Sequence, residues 1–231
     1  MSNTSRQLPL SLRYPPDQHL DAFVAPPAGG LEPLRQLAAS AEPWLYCVGP
    51  ADAGKTHLAL GFCAAAEAGG RTAVYLPMVA LAGRVRDALP TPHPLMRIAL
   101  DGLEHVAGQR EDEVALFDFH NAARAAGAGV FYTAREAPDA LGLTLPDLRS
   151  RLSQLARIRL EAADDGTRAA ILRLRAERRG LAMDDAALDW LLRRARRDLG
   201  SLTALLEQLD RESLAAQRRI TVPFLRKVLG G

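Results

Sequence analysis

The chain has 231 residues, of which 48% are apolar and 24% charged, and its formal net charge is +2. That suits one medium domain or a domain plus a small appendage, with apolar residues enough for a core. No apolar run approaches the roughly 18 residues of a membrane-spanning helix, and on charge alone nucleic acid is neither indicated nor excluded.

Residues 1–20 are polar and proline-bearing without helical period, so a mobile tail is expected there. The tail lacks a charged-then-apolar leader pattern. Pro26, Pro27, Gly29 and Gly30 mark a turn before a helix over 31–40. Strand and helix signals then alternate. Strands are predicted over 44–48, 72–76, 95–100, 129–133 and 158–160. Helices are predicted over 56–68, closing on Gly69 and Gly70, over 79–89, ended by Pro90, and over 112–126, stopped at Gly127. Such alternation implies a parallel sheet with helices on both faces. After residue 161 only helical patterns remain, over 165–179, 184–196, 201–217 and 222–229, with Asp184 as an N-cap. The expected fold is α/β: a base over 21–160 with a five-stranded parallel sheet, and a small C-terminal helical lid over 161–231.

Between the first strand and the next helix lies Gly49-Pro50-Ala51-Asp52-Ala53-Gly54-Lys55-Thr56, a complete phosphate-binding loop. Polyphosphates need backbone N–H groups pointing into one concavity, and a helix N-terminus adds its positive dipole end. Lys55 would reach the β- and γ-phosphates, and the Thr56 hydroxyl would ligate magnesium; His57 follows directly. Of 29 basic residues only Lys55 and Lys227 are lysines, so a lysine in this loop reads as chemically required. The strand over 95–100 runs into Asp101, a carboxylate placed to hold the same magnesium. Cys47 and Cys63 are isolated and form no metal spacing, which points to a reducing, cytoplasmic setting. His19, His93, His105 and His120 likewise show no metal spacing, and Trp44 and Trp190 read as core.

Further motifs follow in order: Val130-Phe-Tyr-Thr133-Ala-Arg-Glu-Ala-Pro138, Leu145-Pro-Asp-Leu-Arg149-Ser150-Arg151-Leu152, and Arg197-Asp198-Leu199. With the phosphate loop, this succession resembles the AAA+ module of the replication initiator DnaA. It is more similar still to Hda, the family of short DnaA homologues that inactivate DnaA. Leu206-Glu-Gln-Leu-Asp-Arg211 and Gln217-Arg-Arg-Ile-Thr-Val-Pro-Phe224 strengthen the likeness, which spans nearly the whole chain.

The resemblance implies ADP or ATP with magnesium, held by Gly49, Pro50, Ala51, Asp52, Ala53, Gly54, Lys55, Thr56 and His57, with Thr56 and Asp101 as metal ligands. Arg197 matches the lid's second-sensor arginine, which reaches the chain's own nucleotide. Arg151 matches the arginine finger that acts on a neighbouring subunit's nucleotide, with Arg149 as the alternative. Gln7-Leu8-Pro9-Leu10-Ser11-Leu12 resembles the motif that binds the DNA polymerase III sliding clamp. DnaA and the clamp are the implied partners, a second copy of the chain is a further candidate, DNA is reached only through the clamp, and no membrane is involved. The chain ends at Gly231, so DnaA's helix-turn-helix domain is not expected.

Two departures bear on activity. Gly102 stands where hydrolytic AAA+ proteins carry a second acid, and Arg135 stands where the family pattern Thr-Ser-Asp-Arg has an acid. The expectation is a weak or inactive ATPase that activates DnaA in trans, bound to ADP and to the DNA-loaded clamp, and so prevents re-initiation. A self-sufficient AAA+ ATPase, such as a replication loader, is the alternative. A DNA-binding adaptor is a third reading, disfavoured by the near-neutral charge. Arg173, Arg175, Arg178 and Arg179 read as a solvated face.

Overall fold

Five apolar stretches form strands β1 (Leu45–Val48), β2 (Thr72–Pro77), β3 (Met96–Asp101), β4 (Gly129–Ala134) and β5 (Ala156–Arg159). The computed structural model describes residues 18–194, 205, 206, 208, 209, 211, 212 and 220–229. Every residue of β1, β3 and β4 is buried, as befits strands covered on both faces. The strands form one parallel sheet in the order β2-β3-β4-β1-β5. Because β1 lies between β4 and β5, the chain after β1 leaves the sheet where the strand order reverses, the usual ligand crevice of an open α/β sheet.

The helices are α1 (Glu32–Ser40), α2 (Lys55–Ala68), α3 (Met78–Leu81), α4 (Val85–Ala88), α5 (Arg110–Ala125), α6 (Pro146–Ser153), α7 (Asp165–Arg178), α8 (Asp185–Arg194) and α9 (Val222–Leu229). Neighbouring residues of β4 show how they flank the sheet. The Phe131 ring lies 5.7 Å from Phe62 of α2. The hydroxyl of Tyr132 lies 3.0 Å from Nδ1 of His120 in α5. Successive side chains on a strand point to opposite faces, so α2 and α5 cover opposite sides of the sheet. Arg97, at the head of β3, is 2% exposed. It donates to the carbonyls of Ala38, Ala39, Pro94 and Met96, so its charge sits at the negative end of α1 and ties that helix to the sheet.

Two elements differ from the sequence expectation. The helix predicted over 79–89 is two short helices, α3 and α4, broken at Gly83 in the left-handed region (φ 80°). The Asp112 carboxylate accepts from the N–H groups of Gly83 (2.6 Å) and Val85 (3.1 Å), which replaces the helical bonds there. The fifth strand begins two residues before the predicted 158–160, and 146–153, not predicted as helical, forms α6.

Described apolar side chains fall into two clusters, one from Leu20 to Leu160 around the sheet and one from Leu172 to Leu225 among α7, α8 and α9. Asp164 caps α7 by accepting from the Thr167 N–H at 2.7 Å, and Asp184 does the same for α8 through Ala187 at 2.7 Å. Trp44 is core, at 2% exposed, and Trp190 packs half-buried on the second cluster. The helix expected over 201–217 lies largely outside the described residues.

His120 is buried against Trp44 (ring centroids 4.8 Å) and Tyr132. Burial, and then the charges of Arg124 and Arg151, push its pKa down to about 4. The unfolded chain therefore takes up a proton that the native chain refuses as pH falls from 6.5 towards 4. Stability is fully present above that window and is lost within it. Denaturant unfolding should show a loss of about 2 kcal/mol between pH 7 and pH 5 from this residue. His120→Gln should flatten that slope; an unchanged slope would contradict the assignment.

Candidate functional site

The loop from Gly49 to Gly54 joins β1 to α2 and is shaped by close approaches. A Cβ at Gly49 would lie 2.9 Å from both Cβ and O of Leu160, and one at Gly54 (φ 96°) would lie 2.7 Å from the Phe23 ring. Asp52 also has positive φ, at 60°. Lys55, 8% exposed at the start of α2, donates to the carbonyls of Gly49 (2.7 Å) and Pro50 (2.6 Å). Burial lowers its pKa, opposed by Glu104, Cys47 and Asp101. An ammonium carries three donors, so one remains for a further acceptor at the helix N-terminus.

Three hydroxyls converge on Asp101 at the end of β3. Thr56 Oγ1 (2.8 Å) and Tyr75 Oη (2.9 Å) donate to Oδ2, and Thr133 Oγ1 (2.5 Å) donates to Oδ1. Burial, with Asp101 second, raises the pKa of Tyr75 and keeps it a donor. Thr133 also accepts from the Gly102 N–H at 3.0 Å. The adjacent oxygens of Thr56 and Asp101 are hard donors of the kind magnesium takes together with phosphate oxygens. Among the described residues there is no group of three or more His, Cys, Asp or Glu that could hold a metal ion.

Directly after Asp101 the chain turns off the strand. Gly102 has φ 86°, and a Cβ there would meet the His105 ring at 3.0 Å. A side chain at this position would be strained in this backbone. Glu104 comes next, but its carboxylate accepts from the Arg135 N–H (3.1 Å) and pairs with Arg135 Nε (3.2 Å).

A cleft of about 890 Å³ opens beside the loop. Phe23, Val24, Pro26 and Pro27 give it an apolar wall, and Thr167, Ile171 and Arg175 of α7 form another side. His57 braces this N-terminal segment: its Nε2 lies 2.9 Å from the His19 carbonyl, and its ring meets Phe23 edge-on at 5.2 Å. Arg175, read from sequence as part of a solvated face, is half-buried and lines the cleft. Its apolar neighbours Leu172 and Ala176 turn towards the α7–α8 core and leave Arg175 on the cleft side.

Arg151 stands elsewhere. It is exposed on the last turn of α6 and lines a separate depression of about 380 Å³ with His120, Asn121, Arg124 and Gln154. The two cavities share no lining residue. The start of α6 is clamped by Glu113, 0% exposed, which accepts from the N–H groups of Gly108, Thr144 and Leu145 and from the Thr144 hydroxyl. Arg149 is exposed on the same helix. Arg197 and the hexapeptide from Gln7 to Leu12 lie outside the described residues. Sequence reasoning missed the roles of Tyr75, Thr133 and Glu113; of these, only Thr133 carried a signal, as a hydroxyl closing the predicted strand over 129–133.

The strand order, the loop around the start of α2, the Thr56–Asp101 pair and the appended helices define a P-loop protein of the AAA+ class. Solved structures with the same fold include domain III of DnaA from Thermotoga maritima (TM-score 0.74, 16% identity, 93% of this chain and 96% of that one). AMPPCP-bound DnaA from Aquifex aeolicus (TM-score 0.63, 18% identity, 88% and 68%) and a Thermotoga maritima RuvB variant (TM-score 0.64, 16% identity, 94% and 72%) share it as well. Residues 165–229 match the family described as Hda, lid domain. An uncharacterised protein of Haemophilus influenzae is 33% identical over 232 residues, covering 97% of this chain and 99% of the relative. The chain belongs to the Hda family of DnaA-homologous regulators. No helix among the described residues is long and apolar enough to cross a membrane.

Proposed function

We propose that this chain holds ADP, docks on the DNA-loaded sliding clamp and stimulates hydrolysis of ATP bound to DnaA, which prevents re-initiation. The observation that carries the reading is a division of labour. Lys55 and Thr56 line one cavity, with Asp101 bonded to Thr56 and glycine instead of an acid at residue 102, while Arg151 lines another. A site so arranged favours holding a nucleotide over turning it over, and an exposed arginine clear of that site suits the nucleotide of a neighbour. Gly49 to Thr56, with His57, would cradle the phosphates, Thr56 and Asp101 would hold magnesium, and Arg197 of the lid would reach the same nucleotide. The tail over 1–20, the base over 21–160 and the lid over 161–231 divide these tasks, and the cytoplasm is where they would be performed. DnaA, the clamp and a second copy of the chain are the proposed partners. The self-sufficient ATPase reading is disfavoured by the left-handed backbone at Gly102.

The clamp contact is assigned to Gln7-Leu8-Pro9-Leu10-Ser11-Leu12. Gln7 would hydrogen-bond in a small polar pocket, Leu10 and Leu12 would fill an apolar groove, and Pro9 would lower the cost of holding the peptide extended. Replacing Gln7, Leu10 and Leu12 together by alanine should abolish clamp binding in surface plasmon resonance while ADP affinity and thermal stability stay at parent values. Parent-level clamp affinity would sink the assignment. The function as a whole is tested by following hydrolysis of DnaA-bound ATP with and without the chain and the loaded clamp.

A further inference from the structure

Strands β3, β4 and β1 are neighbours, and their exits converge. Asp101 lies beside Thr133, and Thr133 beside Cys47. The Gly49 N–H donates to the Ala134 carbonyl at 3.2 Å, so Arg135 starts directly beside the phosphate loop. Glu104 reaches across from the exit of β3, and Arg135 occupies both of its carboxylate oxygens, one through backbone N–H and one through Nε. The carboxylate is thereby held, with a side chain 18% exposed, whereas the Arg135 side chain is 55% exposed. Gly49, whose N–H meets the Ala134 carbonyl, accepts from the Lys55 ammonium through its own carbonyl, so the pair starts beside the lysine end of the cradle. That is the end at which the β- and γ-phosphates of a bound nucleotide meet the lysine.

Resting on the reading of Gly49 to Thr56 as a nucleotide site, we propose that the Glu104–Arg135 pair is a latch that grades ligands by phosphate-chain length. A nucleoside diphosphate is bound with the latch closed. A triphosphate brings its terminal phosphate against the fixed carboxylate and must draw the Arg135 guanidinium from Glu104 to itself. Like charges a few ångströms apart repel strongly at the edge of a protein interior, and a guanidinium pairs with phosphate as readily as with carboxylate. The inversion of sign at residue 135 relative to the family pattern thus acquires a role: it holds in place the acid that the turn at Gly102 has displaced.

The test is calorimetric titration of the full chain with magnesium ADP and with magnesium AMPPCP, the analogue that resists hydrolysis. The parent should bind ADP more tightly. Glu104→Gln, nearly isosteric, should raise AMPPCP affinity relative to ADP by on the order of tenfold, and Arg135→Gln should shift the ratio the other way. A ratio within about twofold of the parent in Glu104→Gln, or tighter AMPPCP binding by the parent, overturns the latch. Lys55→Ala separates the two readings. If it binds both nucleotides as the parent does, the phosphate site itself is misassigned; if it loses both while Glu104→Gln leaves the ratio unmoved, only the latch is wrong.

Discussion

Arg151→Ala is expected to remove most of the stimulation of ATP hydrolysis in DnaA, by about a thousandfold, the scale on which arginine fingers act. Negative charge develops on the transferred phosphoryl group, and a guanidinium placed against it is not replaced by water. Here Arg151 is exposed on α6, a helix whose start is locked to α5 by the buried Glu113, so the arginine is presented from a rigid support. Because Arg151 lies outside the chain's own cleft, the variant should keep its ADP affinity and clamp binding. Single-turnover hydrolysis of labelled ATP loaded on DnaA measures the effect. Arg149 is two residues away on the same helix and so faces a different direction. Parent-level stimulation by Arg151→Ala would move the assignment to Arg149.

Lys55→Ala is expected to weaken ADP binding by at least about tenfold, the scale of one lost charge-assisted hydrogen bond. The side chain is buried and braced on the carbonyls of Gly49 and Pro50, so it is held in place before any phosphate arrives. Its loss removes a positive charge from a cradle that the Asp101 carboxylate adjoins and leaves only backbone N–H groups and the helix end to face phosphate. Calorimetry on a variant whose circular dichroism matches the parent's provides the measurement, and unchanged ADP affinity would contradict the phosphate role.

Much of the base was legible in the residues themselves. β1, β3 and β4 are covered on both faces, and such strands read as unbroken apolar runs. The phosphate loop was legible because its glycines answer to steric demands, now visible as the approaches of Leu160 and Phe23. Asp101 stood out as a carboxylate closing an apolar strand. What escaped the reading depends on contacts between distant segments. Tyr75 and Thr133 converge on Asp101 from 26 and 32 residues away, and only the order β2-β3-β4-β1-β5 brings them together. Alternation of strands and helices does not specify that order. The helix predicted over 79–89 failed for the same reason, since Asp112, 29 residues from Gly83, captures the backbone there. Arg175 could not be told from its solvated neighbours by helical period, because the cleft borders the same side of α7 that water would occupy.

In the proposed function this chain lends its arginine to DnaA and turns over little ATP itself. The measurement that meets it most directly is the rate of hydrolysis of DnaA-bound ATP at fixed concentrations of DnaA and loaded clamp, with and without the chain, beside the turnover of the chain alone. Fast hydrolysis only when chain, DnaA–ATP and loaded clamp are combined, and negligible turnover by the chain alone, is the predicted result. Steady turnover by the isolated chain with no acceleration of the DnaA-bound nucleotide would contradict it and establish the self-sufficient ATPase instead.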